Sequence, residues 1–340
     1  MDFKGSNLLS VRQFTLENLE TIFNVANRME KFASRQAQTK VLEGAILANL
    51  FFEPSTRTRI SFGCAFNRLG GFVNDTVGFE FSSIVKGESL SDTSRVLSGY
   101  ADVIVVRHPT KGSVAKFAEA TNVPIINGGD GIGEHPTQAL LDIYTVYKEI
   151  GSDFQKINGL SIALVGDLKN GRTVHSLARL LSLFRNISFY LVAPPELGMP
   201  ESVLETIASH GHRVVITSDL KEGIADADVV YTTRIQEERF ETEEEYKKYR
   251  GFFKLNRELY EQVSKKRATI MHPLPRDSRE VYCELDTDLN GHPNMAIFRQ
   301  TDNGIPIRMA LFALILGVED KVEEYQKKVI WYVPGSFGKF

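Results

Sequence analysis

Short apolar runs of strand length alternate with segments of helical period along almost the whole chain, and this alternation restricts the fold more than any other feature. Residues 45–52, 102–106, 123–127, 160–165, 188–192, 213–216, 228–232 and 269–271 read as strands, with a thinner one near 72–74. Between them, apolar residues recur every three or four positions. Leu16, Leu19, Ile22, Phe23, Ala26, Met29 and Phe32 follow Thr15, a predicted N-cap. Phe62, Ala65, Phe66 and Leu69 form a second helical face, and Val174, Leu177, Leu180 and Leu181 a third. Pro136 starts a helix carrying Leu140, Leu141, Ile143, Val146 and Tyr147. Shorter helices are predicted from Ser89 to Tyr100 and from Val114 to Ala120, and 305–316 reads as a final core helix. Strands and helices in this order imply βαβ units and an α/β fold with parallel sheets.

A chain of 340 residues is expected to hold about two domains. Gly151-Ser152-Asp153 and Asn158-Gly159 carry the best boundary signal, and the alternation restarts after them. The net charge of −3 provides no general basic field for nucleic acid or an anionic membrane, so neither is an expected partner. Cys64 and Cys283 are far apart and outside any metal-ligand spacing, which points to a reducing compartment without a disulfide framework. No signal-peptide core and no membrane-length apolar run is present, so a cytoplasmic location is expected.

Polar residues gather just past the predicted strands. Pro54 breaks the first strand from its helix, so Ser55-Thr56-Arg57-Thr58-Arg59 falls on a first helical turn. Unpaired N–H groups and the positive dipole end suit an anion there, and three hydroxyls and two guanidiniums add donors. A Ser/Thr cap followed by two solvated arginines reads the same letters equally well. Arg107 and His135 lie just past two further strands, which favours the anion site, because ligands of parallel sheets sit beyond the carboxyl ends of the strands. In the second half Arg172, Arg234 and Gln236 occupy equivalent places, and His272-Pro273-Leu274-Pro275-Arg276 forms a stiff turn after another strand. The loop 78–88 fits neither period, and the charged stretch 237–250 reads as a solvated helix or mobile loop.

Several chemistries lack their motifs. There is no Gly-x-x-x-x-Gly-Lys-Ser/Thr loop, and Val165-Gly166-Asp167 follows a strand without the rest of a dinucleotide fingerprint. The seven histidines form no metal-like pair on one helix face, and no Gly-x-Ser-x-Gly elbow is present. Neither metal nor cofactor is expected. What remains is a set of fixed cations and hydroxyls suited to a transfer reaction in which an anion departs and charge builds on an oxygen.

Phe52-Glu53-Pro54-Ser55-Thr56-Arg57-Thr58-Arg59 resembles the carbamoyl phosphate signature of the aspartate/ornithine transcarbamylase family. Lys86-Gly87-Glu88, Val106-Arg107-His108-Pro109, His135-Pro136-Thr137-Gln138 and Gly171-Arg172-Thr173-Val174-His175-Ser176 follow in the family's order. The resemblance covers approximately residues 8–317. Thr233-Arg234-Ile235-Gln236 and His272-Pro273-Leu274-Pro275-Arg276 resemble the family's aspartate-specific members, whereas its ornithine enzymes usually carry Ser-Met-Gly and His-Cys-Leu-Pro there.

The resemblance implies two domains, each a mostly parallel sheet flanked by helices, with the C-terminal helix returning to the first. Residues 1–150 plus about 304–340 would bind carbamoyl phosphate, and 151–303 would bind aspartate. It further implies that Ser55, Thr56, Arg57 and Thr58 hold the phosphate and that Arg107 reaches both phosphate and carbonyl oxygen. Thr58, Arg107 and His135 would polarise the carbonyl. Gln138 would bind the carbamoyl amino group alongside the backbone carbonyl of Leu274, and Arg172, Arg234 and Gln236 would grip the carboxylates of aspartate. Residues matching Ser82 and Lys86 enter the site from a neighbouring subunit of a homotrimer in that family, and a regulatory chain is a further candidate partner. Gly63 stands where many relatives carry Glu, Val85 where some carry Lys, and an aromatic tail extends from Glu319, expected to dock on the chain or a neighbour. The competing readings are a transcarbamylase for another amino acid such as ornithine, a non-catalytic binder of anionic metabolites and, more remotely, a nicotinamide-dependent dehydrogenase.

Overall fold

The computed structural model describes residues 1–78, 86–277, 279 and 283–333. The chain forms two compact units, one of Met1–Leu141 with Asp302–Pro334 and one of Asp142–Thr301. The division falls inside a helix, ahead of the glycine-bearing turns at 151 and 159.

The first unit runs through helix Leu16–Ala33 (α1), strands Ala37–Thr39 (β1) and Ile46–Phe51 (β2), and helix Thr56–Arg68 (α2). It continues with strand Phe72–Val77 (β3), helix Leu90–Leu97 (α3), strand Val103–His108 (β4), helix Ser113–Glu119 (α4), strand Ile125–Asp130 (β5) and the beginning of helix Pro136–Glu149 (α5). Thr15 caps α1 in a reciprocal exchange, its hydroxyl accepting from Asn18 N while the Asn18 side chain accepts from Thr15 N. The sheet order is β3-β2-β4-β5, with all strands parallel. Every residue of β4 and β5 is buried, and β4 accordingly opens with the apolar run Val103-Ile104-Val105-Val106. The edge strand β3 is mostly exposed, and its signal in the sequence is correspondingly thin.

The second unit contains strand Ser161–Val165 (β6), helix Arg172–Leu181 (α6), strand Ser188–Val192 (β7), helix Glu201–Ser209 (α7), strand Arg213–Thr217 (β8) and helix Leu220–Ile224 (α8). After them come strand Val229–Thr232 (β9), helices Glu243–Lys247 (α9) and Arg257–Val263 (α10), strand Thr269–Met271 (β10) and helix Ile297–Asp302 (α11). Its sheet is also parallel, in the order β10-β9-β6-β7-β8. Val165, Val230, Tyr260, Ile270, Leu285 and Leu289 belong to one buried cluster on this sheet. Within the charged stretch 237–250, α9 is capped by Thr242 and carries Glu243, Glu244 and Glu245 in its first turn, where the dipole favours them.

Helix Gly304–Leu316 (α12) returns to the first unit and packs on α1 and α2. Residues 306–315 are all buried, and Phe312 meets Phe62 and Phe66 edge-on at ring distances of 6.0 and 4.9 Å. The chain then forms strand Gln326–Lys328 (β11), antiparallel to β1. Arg28 holds this terminal segment with a fork to Glu323, at 3.0 Å from Nε and 2.6 Å from Nη2. Thr39 Oγ1 donates to Val322 O at 2.9 Å. The terminal segment thus docks through backbone pairing and an arginine fork. Of the tail's aromatics, Trp331 and Tyr332 are exposed on the single chain, at 50% and 85%. The last residues of the tail lie outside the described part. Among the described residues, no helix is long and apolar enough to cross a membrane.

Candidate active site

In the first unit the carboxyl ends of β2, β4 and β5 carry the polar groups. Ser55 is the N-cap of α2 in extended conformation, yet its side chain makes no capping bond, so capping does not account for the hydroxyl. Thr56 and Arg57 are exposed on the first turn, Ser55 is half-buried and Thr58 is buried. Arg59 behaves differently from the expectation of two guanidiniums at an anion site. It pairs with Asp75 at 3.1 Å, and its carbonyl accepts from Asn49 Nδ2 at 3.2 Å. Its charge is therefore committed to β3, which leaves Arg57 as the arginine presented by the turn.

Arg107 lies inside β4 rather than beyond it, opposite Phe51 in the register. Its carbonyl accepts from Phe52 N at 2.9 Å, which joins the segment leading to Ser55 to the end of β4. The β4–β5 register shifts between Val106 and His108, an irregularity of the kind that re-aims a strand-end side chain. The Arg107 guanidinium is anchored at both ends, by Glu53 Oε2 at 2.8 Å from Nη2 and by Gly128 O at 3.2 Å from Nη1. Gly128 and Asp130, past the predicted strand end at residue 127, extend β5. Leu8 bridges the outer edge of β5, donating to Ile125 O and accepting from Asn127 N, both at 2.8 Å. Asp130 then clamps the turn before α5, accepting from Glu134 N at 2.7 Å and Gly112 N at 3.1 Å. His135 is buried immediately before α5, and Gln138 is half-buried on its first turn. Ser55–Thr58, Arg107, His135 and Gln138 therefore share one edge of one sheet. Lys86 is exposed on the turn before α3, and Ser82 lies outside the described residues.

The second unit repeats the plan. Arg172 is the first residue of α6, and Arg234 and Gln236 follow β9. Their placement depends on Gly166, which has φ of +120°, where a Cβ would collide with the carbonyl oxygen of Thr233. The two strand ends meet there, with Thr233 N donating to Val165 O at 2.8 Å. The next residue, Asp167, is fully buried, and burial raises its pKa while hydrogen bonds from Asn170 and Gln236 oppose the rise. Its carboxylate accepts from Asn170 N at 2.9 Å and from Gln236 N at 3.4 Å, tying the loop before Arg172 to the segment carrying Gln236. Arg234 lines a small cavity together with Thr233, Tyr246, Phe252 and Phe253.

Leu274 follows β10 with a left-handed φ of 57°, which is unusual for a branched side chain. His272 Nδ1 holds it by accepting from Leu274 N at 2.8 Å. The imidazole proton is thereby placed on Nε2, which donates to Glu284 Oε1 at 2.6 Å. Burial lowers the His272 pKa, and Glu284 acts in the opposite sense. Glu53, Asp167 and the His272–Glu284 pair are supporting residues that sequence reasoning left unassigned. Glu53 and Asp167 were visible as acids adjoining motif positions, whereas the pairing of His272 with Glu284 has no local signal. No group of three His, Cys, Asp or Glu side chains among the described residues is placed to hold a metal ion.

Comparison with known proteins agrees with this two-part geometry. The family model described as aspartate/ornithine carbamoyltransferase, carbamoyl-P binding domain, matches residues 6–148, and the one described as the Asp/Orn binding domain matches residues 158–315. The aspartate carbamoyltransferase catalytic subunit of Saccharophagus degradans is 60% identical, over 99% of this chain and 100% of the relative. The subunit of the same name from Thermococcus kodakarensis is 45% identical, covering 94% of this chain and 99% of that one. Among solved structures, the aspartate transcarbamoylase of Trypanosoma cruzi in complex with carbamoyl phosphate and aspartate superposes with a TM-score of 0.84 at 39% identity, covering 92% of this chain and 98% of that one. The catalytic subunit of the M. jannaschii enzyme gives a TM-score of 0.82 at 45% identity, covering 93% and 99%.

Proposed function

The chain belongs to the aspartate/ornithine carbamoyltransferase family, and from that premise we propose how its two strand-end clusters divide the work. It transfers the carbamoyl group of carbamoyl phosphate to the amine of L-aspartate, giving N-carbamoyl-L-aspartate and phosphate, a step of pyrimidine biosynthesis. In the first unit Ser55, Thr56, Arg57 and Thr58 hold the phosphate at the start of α2, where backbone N–H groups are unpaired. Arg107 reaches the phosphate and the carbonyl oxygen, and with Thr58 and His135 it stabilises the oxyanion as that oxygen gains charge. Gln138 binds the carbamoyl amino group. In the second unit Arg172, Arg234 and Gln236 take the two carboxylates of aspartate. The observation that carries the phosphate assignment is the Ser55 hydroxyl, which stands at a helix start and does not cap it.

The neutral amine of aspartate attacks the carbonyl carbon and a tetrahedral intermediate forms. The carbon–oxygen bond to phosphate breaks, and the departing phosphate accepts the amine proton. Fixing both substrates supplies proximity and orientation. A cytoplasmic homotrimer in which Ser82 and Lys86 complete a neighbour's site is part of the same reading, supported by the exposure of Lys86. The test is phosphate release from carbamoyl phosphate with aspartate or ornithine as acceptor. Turnover is expected with aspartate alone, and turnover with ornithine alone would overturn the acceptor assignment. Light scattering decides the trimer.

A further inference from the structure

Asp142, on α5, is a fully buried carboxylate that takes no part in the chemistry above. Its Oδ2 accepts from the Tyr231 hydroxyl at 2.8 Å and its Oδ1 from Gln300 Nε2 at 2.7 Å. Gln300, itself buried on α11, uses its other end to accept from His272 N at 2.9 Å. The Tyr231 hydroxyl also meets the side chain of Thr173. Each branch leads to a different part of the second unit's strand-end site. Thr173 adjoins Arg172 at the start of α6. Tyr231 lies on β9, on the strand that delivers Arg234 and Gln236. His272 N lies at the end of β10, on the turn whose His272 ring holds Leu274.

We infer that Asp142 is a positioning residue for aspartate binding, fixing Arg172, Arg234 and Leu274 relative to one another from beneath the sheet edge. The chemistry of the group fits the task. An ionised carboxylate accepts only, so it can satisfy the Tyr231 hydroxyl and the Gln300 amide at once, and charge-assisted bonds are the strong ones in a buried setting. Burial and the adjacent carboxylate both raise the Tyr231 pKa, so the phenol keeps its proton and remains a donor. Gln300 cannot turn over without facing its amide donors toward His272 N, so its orientation is fixed from both ends. Three elements distant in sequence thereby share one anchor.

This inference rests on the second-unit cluster being the aspartate site, and the experiment separates the two. Asp142→Ala, Asp142→Asn, Tyr231→Phe and Arg234→Ala are compared for aspartate saturation and for binding of inorganic phosphate by calorimetry. Asp142→Ala is expected to raise the aspartate KM about tenfold, the scale of one lost hydrogen bond to a charged group, and Tyr231→Phe about threefold. Asp142→Asn should recover part of the loss, with phosphate affinity in all three within about twofold of the parent. Tyr231→Phe keeps the ring and decides the matter if Asp142→Ala does not fold. An unchanged aspartate KM in Tyr231→Phe, or phosphate affinity falling in step with aspartate use, overturns the positioning role. If Arg234→Ala raises the aspartate KM and the Asp142 and Tyr231 variants do not, the anchor alone is rejected. If Arg234→Ala leaves it unchanged, the site assignment falls and the anchor with it.

Discussion

Glu53 Oε2 stands 2.8 Å from Arg107 Nη2, so the signature that carries the proposed phosphate-binding turn also aims the arginine of the neighbouring strand. With Gly128 O on the other nitrogen, the guanidinium is fixed before any substrate arrives. Arg107→Ala should lower kcat by on the order of 10²–10³-fold, the usual loss for an oxyanion donor. It should also leave the half-buried Glu53 carboxylate without this partner, a cost of about 1–3 kcal/mol visible in a urea melt. Steady-state kinetics on the folded variant check the first expectation, and a near-normal kcat rejects the role.

Arg234→Lys tests the acceptor side. A lysine keeps the charge but loses the planar fork, so aspartate should be held less well while carbamoyl phosphate is untouched. The aspartate KM is expected to rise roughly tenfold, equivalent to one bidentate contact reduced to a single one. Aspartate and carbamoyl phosphate saturation curves measured side by side show whether the effect falls on one substrate.

Gly63 lies buried in the middle of α2 at a position with no left-handed requirement. A Cβ there would meet only Val73 Cγ1, at 3.8 Å, an ordinary contact. Gly63→Ala should therefore stabilise the chain by up to about 1 kcal/mol through helix propensity alone. The shift is read as a higher urea midpoint, and a lower midpoint would mean that α2 needs its glycine for another reason.

The lowered pKa of His272 makes a pH prediction with a definite sign. Above its ordinary value of about 6.5 neither folded nor unfolded chain binds the proton, and the group contributes no slope. Below that value the unfolded chain takes the proton first, so stability falls with pH until the lower folded pKa is reached, at up to about 1.4 kcal/mol per pH unit. Protonation would also turn Nδ1 into a donor facing Leu274 N. Urea midpoints measured between pH 7.5 and 5.5 should show a smaller decline in His272→Asn than in the parent, since asparagine can still accept from Leu274 N. Equal declines would remove His272 from the account.

The terminal segment divides at Lys328. Truncation after Lys328 leaves the β1–β11 pairing and the Arg28–Glu323 fork intact, so the melting temperature should stay within about 1 °C. Truncation after Gly317 removes both and opens the β1 edge, and a fall of several degrees is expected. Scanning calorimetry of the two truncations checks the order.

The parallel α/β architecture was legible because buried parallel strands such as Val103–His108 must be apolar on both faces. Strand ends were less legible. Arg107 and Asp130 are paired in strands although they lie past the predicted strand ends, because Phe51 on β2 and His108 on β4 supply partners that no local window contains. The proposed phosphate turn was visible as adjacent letters, whereas the separation of Arg57 from Arg59 depends on Asp75 across the sheet. Asp142 offered one signal, a lone acid in the apolar run Leu140-Leu141-Asp142-Ile143, but its partners Tyr231 and Gln300 are remote in the chain. Supports of this kind are spatial, and a helical or strand period does not record them.

Helix α12 gives the chain an order of completion. The layer that α1 and α2 bury against is made from residues 304–316, so their unit lacks part of its interior until those residues have been synthesised. The described residues of the other unit form one continuous segment, Asp142–Thr301, which has been synthesised before that point. A nascent chain stalled short of α12 would therefore present the exposed apolar faces of α1 and α2 to chaperones, while its second sheet already had all its strands.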